Sequence, residues 1–299
     1  MSTLVHHVTC PVCRSSSLQS VFLVRDHTVS QKEFEILACT QCQHRFTQDA
    51  PGPSEIGAYY KASSYISHTD SNKGLINRLY KLVRNRTLVG KRKEVEAVTG
   101  LQKGRLLDIG AGTGFFLSAM KKHQWEVVGL EPDADARQVA LQLHGIQLEE
   151  MDALFSLPPA SFDVITLWHV LEHVHDLEGY VKRFRELLSP NGKLLIAVPN
   201  YTSLDAGVYG SHWAAYDVPR HLHHFAPSSI KHLLENRGFH CIKTKPMWFD
   251  AFYVCLLSSQ YKQGKTNWIE AVWNGFRSNL KAWRQPERCS SLIYLFSKK

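Results

Sequence analysis

The chain has 299 residues, 44% hydrophobic and 21% charged; this balance excludes a disordered or fibrous polypeptide and leaves room for roughly two domains. The net charge of +8 is unevenly spread, with +5 on residues 1–100, −4 on 101–200 and +7 on 201–299, so the nucleic-acid reading of a basic chain applies to the flanks alone. No apolar stretch approaches the ~20 residues of a membrane helix, and the N-terminus lacks the basic-then-apolar order of a secretory signal. With seven cysteines, that predicts reduced thiols or bound metal and a cytoplasmic location.

Residues 1–50 contain two Cys-x-x-Cys pairs, Cys10/Cys13 and Cys39/Cys42, separated by strand-like stretches at Val21–Val24 and Phe34–Leu37. Paired thiolates on two knuckles close a tetrahedral zinc site with four protein ligands, which makes the metal structural. His44 reads as a surface residue and Cys241, Cys255 and Cys289 as ordinary buried thiols. Residues 51–99 read as a linker followed by a helical cap: apolar residues recur at helical spacing from Gly74 to Val98, and Lys73–Lys93 holds eight basic and no acidic residues, either a solvated face or an anion-binding one. Tyr59, Tyr60 and Tyr65 are placed as part of a lid.

From residue 100 to 299 strands and helices alternate. Strands are predicted at Arg105–Ile109, Glu126–Leu130, Ile146–Glu149, Phe162–Leu167, Lys193–Val198, Phe239–Lys245 and Leu292–Ser297, with helices at Thr113–His123, Asp133–Leu143, Leu177–Leu188 and Ser228–Arg237. Such a chain is α/β, a doubly wound, mostly parallel sheet of seven strands with right-handed crossovers. Two insertions interrupt it, at about 200–226 and 246–289. The second contains Trp248, Phe249, Trp268, Trp273 and Trp283, spaced as core residues are.

The segment LLDIGAGTGFFL puts Gly110, Gly112 and Gly114 between a strand and a helix, where backbone amides face a ligand that approaches closely. Phe115 stands where a dinucleotide fingerprint has its last glycine, which argues against NAD or FAD. The next strand ends in Glu131, placed to accept from two ribose hydroxyls. With GLEPD at 129–133, Asp152 in EMDALFSLP and FDVITLWHVLEHVHD at 162–176, the chain resembles a class I S-adenosylmethionine-dependent methyltransferase over about residues 100–200. The resemblance implies a Rossmann-like methyltransferase fold whose last strand runs antiparallel at the edge. It implies that Asp108 and Gly110, Ala111, Gly112 and Gly114 surround the methionine portion of the cofactor. Glu131 and Pro132 would meet the ribose, with Asp152 and Ala153 at the adenine.

His169, after the strand at 162–167, falls where cofactor and acceptor pockets meet in such enzymes. His173 reads as a structural hydrogen-bonder. In YDVPRHLHHF, His221 and His224 are candidate bases beside His169; the same histidines are equally open to binding a metal or fixing the loop. N-terminal zinc modules precede this domain both in enzymes that methylate carbons of nucleotide-activated sugars, which are longer than this chain, and in enzymes that methylate guanine in ribosomal RNA. The resulting expectation is methyl transfer to a small or medium-sized acceptor, a sugar, glycan or its precursor. An RNA base is the alternative, and a cofactor-binding regulatory or scaffold protein without turnover is a second.

Overall fold

A computed structural model describes residues 4–60 and 75–299, with the side chains of 75–85 outside the description. Tyr65 and Lys73 therefore lie outside the described residues. The chain begins with β1 (Leu4–Val5), β2 (Leu18–Arg25), β3 (Glu33–Cys39), β4 (Arg45–Thr47) and β5 (Ala50–Pro51), then a 3-10 turn over Ile56–Tyr60. A long helix, α1 (Leu75–Thr99), leads into β6 (Arg105–Ile109), α2 (Phe115–Lys121), β7 (Glu126–Leu130), α3 (Ala134–His144), β8 (Phe162–Trp168), α4 (Leu177–Leu187) and β9 (Leu188–Pro199). The remainder is α5 (Leu204–Tyr209), β10 (His223–His224), α6 (Pro227–Glu235), β11 (Phe239–Pro246), α7 (Asp250–Gln263), α8 (Trp268–Arg284) and β12 (Ser291–Lys298).

The main sheet has six strands in the order β11-β12-β9-β8-β6-β7. Those from β9 to β7 are parallel. Strand alternation sends consecutive side chains to opposite faces. Leu107, Ile165, Leu194 and Ile196 pack with α4 and α6 through Val181, Phe184, Ile230 and Leu233. Leu106, Val164 and Leu195 pack with α1, α2 and α3 through Val95, Leu117, Met120 and Ala140. Helices on both faces make this the doubly wound α/β fold expected from the alternating pattern.

Two expectations about the main sheet need correcting. The seventh strand, predicted at 146–149, is reduced to a single bridge from Leu130 to Glu149, because Glu149 exchanges backbone hydrogen bonds only with Gly129 and Glu131 before the chain turns. The last strand is antiparallel as expected but is not the edge. β12 pairs with β9 on one side and β11 on the other, since the α7–α8 excursion returns the chain into the gap between them.

β1 and β5 pair as a two-stranded antiparallel ribbon, but β2, β3 and β4 do not form a sheet of their own. Their order is β10-β4-β3-β2, so the fourth strand comes from the 200–226 connection, with His223 opposite Phe46 and His224 opposite Arg45. The predicted boundary near residue 50 is thus crossed by a shared β-ladder. Cys10, Val12, Cys39 and Cys42 are also continuous with the core cluster that contains α4 and α6.

In the second insertion, α7 and α8 form a hairpin, and a buried carboxylate on α5 ties α8 to the chain before β12. Asp205 accepts from Trp213 Nε1 (2.8 Å), Ser278 Oγ (2.6 Å) and Ser290 Oγ (2.7 Å). The expected aromatic core is not found here. α8 turns Ala271, Asn274, Gly275, Ser278 and Ala282 inward and leaves Trp268, Trp273 and Trp283 exposed. Trp248 and Phe249 are exposed as well. Small inner residues let the helix lie close against α7, where a Cβ on Gly275 would come within 2.7 Å of the Phe252 ring.

Candidate active site

The sheet ends in a strand–turn–helix at β6–α2. Gly110, Gly112 and Gly114 have φ of 70°, 54° and 76°, a region that costs L-residues about 1–2 kcal/mol each. Gly110 N and Ala111 N both donate to Leu130 O (2.8 and 2.9 Å), which ties the turn to β7. A Cβ on Gly110 would lie 2.4 Å from Val170 Cγ2, whereas one on Gly112 would meet nothing within 4 Å. The turn is therefore sealed on the protein side and open above Gly112.

Two carboxylates bracket the opening. Glu131 is buried and accepts from Gly112 N (2.7 Å) and Asp133 N (3.1 Å); burial raises its pKa while these amides pull it down. Asp108 is also buried and accepts from Thr166 Oγ1 at 2.6 Å. Burial pushes its carboxyl up to about 7, with the Thr166 hydrogen bond and Lys91 acting against the rise. Lys91, from α1, sits with Nζ 4.3 Å from the centre of the Trp168 ring. Burial draws it down to about 8 despite the nearby charges of Asp108 and Asp250. One residue of the basic stretch is thus turned inward toward Trp168 and Asp108, and its neighbour Arg92 pairs with Glu96 along the helix (2.5 Å). Asp152 and Ala153 lie on the 3-10 turn Met151–Phe155, and Asp152 and Pro132 are exposed.

At the end of β8, His169 has a φ of 60° and donates its backbone N–H to Ala197 O at 2.9 Å. Its ring lies between two carboxylates. Nε2 is 3.1 Å from Asp250 Oδ2, and Nδ1 is 3.4 Å from Glu172 Oε1. Burial disfavours its charge, but the two facing carboxylates, Asp250 first and Glu172 second, raise the imidazole to about 10. Sequence reasoning missed both partners. Asp250 comes from the second insertion, and Glu172 reads as one more acidic residue in a loop.

The other histidines fall into distinct environments. His221 Nδ1 lies 2.8 Å from Ala215 O, and its ring meets that of His173 edge-on with centroids 4.6 Å apart. His223 bridges His44 (3.1 Å) and Val174 O (2.9 Å). Thr47 Oγ1 donates to His221 O (2.7 Å), so His224 Nε2, 3.1 Å away, donates to that hydroxyl. His224 is buried in the interface with the N-terminal strands and packs edge-on against Tyr216. His44, expected at the surface, is buried in the same interface because β10 covers it. The proposed lid residues are anchored there too. Tyr59 O accepts from Arg220 Nη1 (3.1 Å), and Tyr60 Oη is 2.9 Å from His173 Nδ1.

Cys10, Cys13, Cys39 and Cys42 bring their four Sγ atoms within 4.8 Å of one another. Cys10 and Cys42 are 3.6 Å apart, and Cys13 and Cys39 3.5 Å. Four thiolates at about 2.3 Å from a tetrahedral zinc stand about 3.8 Å from each other, so the quartet has the dimensions of that site.

Comparison with known proteins agrees with this geometry. A model of the methyltransferase domain family matches residues 76–244. A ubiquinone biosynthesis O-methyltransferase from Bradyrhizobium diazoefficiens is 27% identical over 162 residues, 48% of this chain and 62% of that protein. One from Rhodopseudomonas palustris is 24% identical over 187 residues, 57% of this chain and 72% of that protein. This chain therefore spans less than two thirds of the first relative. Among solved structures, Haemonchus contortus phosphoethanolamine N-methyltransferase 2 in complex with S-adenosyl-L-methionine shares the fold with a TM-score of 0.50. It is 20% identical, covering 70% of this chain and 52% of that one. A SAM-dependent methyltransferase from Archaeoglobus fulgidus has a TM-score of 0.49 at 20% identity, covering 72% and 94%. No described helix is long and apolar enough to cross a membrane.

Proposed function

The chain belongs to the methyltransferase domain family, and from that premise we propose that it methylates a hydroxyl oxygen of a small-molecule acceptor with S-adenosylmethionine. The observation that carries the reading is the glycine turn, open above Gly112 and flanked by the buried carboxylates Asp108 and Glu131. Donors and acceptors there suit a cofactor with a cationic amino-acid end and a ribose. Asp108, Gly110, Ala111, Gly112 and Gly114 would hold the methionine portion, Glu131 and Pro132 the ribose, and Asp152 and Ala153 the adenine. The chemistry supplied by the bound cofactor is a methyl group activated by a sulfonium.

The protein's own task is to place the acceptor and receive its proton. His169 has both ring nitrogens directed at carboxylates, so it has no free lone pair with which to act as a base. It acts as a positioning residue that keeps Asp250 ionised: burial raises that carboxyl, but the His169 hydrogen bond and charge outweigh it and hold it below its ordinary value. An Asp250 carboxylate oxygen receives the acceptor's proton only as the methyl transfers and the acceptor oxygen turns acidic. His224 has a structural part, joined to Thr47. The oxygen acceptor is supported by the names of the two relatives, both O-methyltransferases; those names lend nothing to a sugar, glycan or RNA acceptor, and these readings are set aside. Zinc in the cysteine quartet is structural, and reduced thiols there suit a cytoplasmic setting.

The test uses purified full-length protein, methyl-labelled S-adenosylmethionine and fractionated cell extract. Label is expected in O-methyl ethers of the small-molecule fraction. Label confined to RNA, glycan, or N- or C-methyl products overturns the reading, as does the absence of transfer by protein that binds the cofactor.

A further inference from the structure

The geometry points to a second metal site, in which we propose that Glu172, His173 and His221 hold a divalent first-row cation such as zinc, apart from the cysteine quartet. One carboxylate oxygen and one nitrogen of each ring lie within 4.8 Å of one another. They come from two places: the 3-10 turn Leu171–His173 after β8, and the connection that leads into β10.

Three observations converge on this site. First, Glu172 is fully buried and neither of its carboxylate oxygens has a hydrogen bond; the His169 ring forms an ion pair with Oε1 at 3.4 Å, which leaves Oε2 with lone pairs to give a ligand. A buried carboxylate is retained when it is paired or coordinates a metal. Second, both rings are oriented by backbone carbonyls at the same nitrogen. His221 Nδ1 donates to Ala215 O (2.8 Å) and His173 Nδ1 to Arg220 O (2.9 Å), and His173 Nδ1 also lies 2.9 Å from the Tyr60 hydroxyl. With the proton on Nδ1, the Nε2 lone pair is left for a ligand, the arrangement that outer hydrogen bonds impose on metal-binding histidines; His221 Nε2 also faces Asp217 Oδ2, at 3.9 Å, beyond hydrogen-bond distance. Third, the rings meet at 78° with centroids 4.6 Å apart, so they converge without stacking.

Two imidazole nitrogens and one carboxylate form a donor set for zinc or iron(II), harder than the four thiolates of the N-terminal site. Ligands at about 2.1 Å from one ion stand about 3.0–3.4 Å apart, so the three groups draw inward when the ion binds. An ion here clamps the 200–226 connection to the end of β8. It also fixes Glu172, and through it His169.

The test is titration of metal-stripped, full-length protein with Co²⁺, followed by visible and near-ultraviolet absorption. Two equivalents per chain are expected, one with thiolate-to-metal charge-transfer bands and one with only the weak bands of nitrogen and oxygen ligands. Glu172→Gln and His221→Asn are expected to keep the thiolate-bound equivalent, which reports a folded chain, and to bind the other at least about 100-fold more weakly. Uptake of a single equivalent by the wild type overturns the site, and so does retention of both equivalents by the variants. If the variants lose the thiolate bands as well, proton NMR of the cobalt-loaded wild type decides. Two paramagnetically shifted, exchangeable imidazole N–H resonances are expected from His173 and His221, and their absence overturns the proposal.

Discussion

Arg220 and Asp26 meet inside the protein, with Nη1 3.7 Å from Oδ1 and neither side chain more than 2% exposed. Asp26 closes the turn between β2 and β3, accepting from Thr28 N, Val29 N and Ser30 N at 3.0, 3.1 and 2.7 Å. Arg220 belongs to the connection before β10, where its Nε donates to Asp217 Oδ2 at 2.9 Å. The pair locks the N-terminal strands to the cofactor domain.

Removing one member of a buried pair strands the other, at a cost of about 3–5 kcal/mol. Asp26→Asn and Arg220→Met should each lower stability by that order in urea denaturation, and the double variant by less than the sum. Burial raises the Asp26 carboxyl, but the Ser30 and Thr28 hydrogen bonds outweigh it and hold it below its ordinary value. A depressed carboxylate contributes stability above about pH 4 that is lost as pH falls through the folded value. The wild type should therefore lose more stability than Asp26→Asn between pH 5 and pH 3.

The cofactor site has the opposite pH behaviour. Asp108 is pushed up to about 7 by burial, so its ionised form is disfavoured in the folded protein. Stability without ligand should fall as pH rises from 6 to 8, since the unfolded chain releases this proton earlier. Affinity for the cationic cofactor should rise over the same range as Asp108 ionises. Calorimetric titration at several pH values checks this, and Asp108→Asn should flatten the profile.

Gly110 and Gly112 have similar backbone angles but different surroundings, and alanine separates them. Gly110→Ala drives a methyl into Val170 and should lower the melting temperature by several degrees. Gly112→Ala has open space before it. Its strain of about 1–2 kcal/mol is small, yet its methyl occupies the ligand's approach, so cofactor affinity should fall at least about tenfold while the melting temperature moves little.

Asp250→Asn retains the size of the group that faces His169 Nε2 but removes its capacity to take a proton. Turnover should drop about 10²-fold or more, with cofactor Kd within about twofold of wild type. Equal losses in turnover and cofactor binding would reduce Asp250 to a structural residue.

Because β4 and β10 share a ladder, metal in the cysteine quartet should stabilise more than the knuckles that bind it. Cys39→Ser, or prolonged chelation, is expected to lower the unfolding midpoint of the whole chain in one transition and to depress methyl transfer in parallel. A separate early transition that leaves activity intact would show independent units.

The features legible in the sequence are those whose partners are near in the chain. The glycine turn, Glu131 at the end of the next strand and the Cys-x-x-Cys knuckles each reveal themselves by short spacings. The roles of the histidines do not, because they depend on contacts such as His223 with His44 and His224 with Thr47, which arise only when β10 joins β4. Asp250 was hidden for the same reason, lying far along the chain from His169. Lys91 looked like one charge among many in an amphipathic helix, and nothing in its spacing marks it as the one over Trp168. The tryptophans of α8 misled because helical periodicity marks an apolar face without saying which way it turns.

The inverted packing of α8 changes how substitutions would be tolerated along it. On most surface helices the apolar positions are the constrained ones and the small polar ones drift freely. Here the bulky positions Trp268, Ile269 and Trp283 face outward, while Gly275 and Ser278 touch α7 and Asp205. Sequence variation in this helix is therefore expected to concentrate at its large residues and spare its smallest, so that a hydrophobicity profile alone would choose the wrong face to protect.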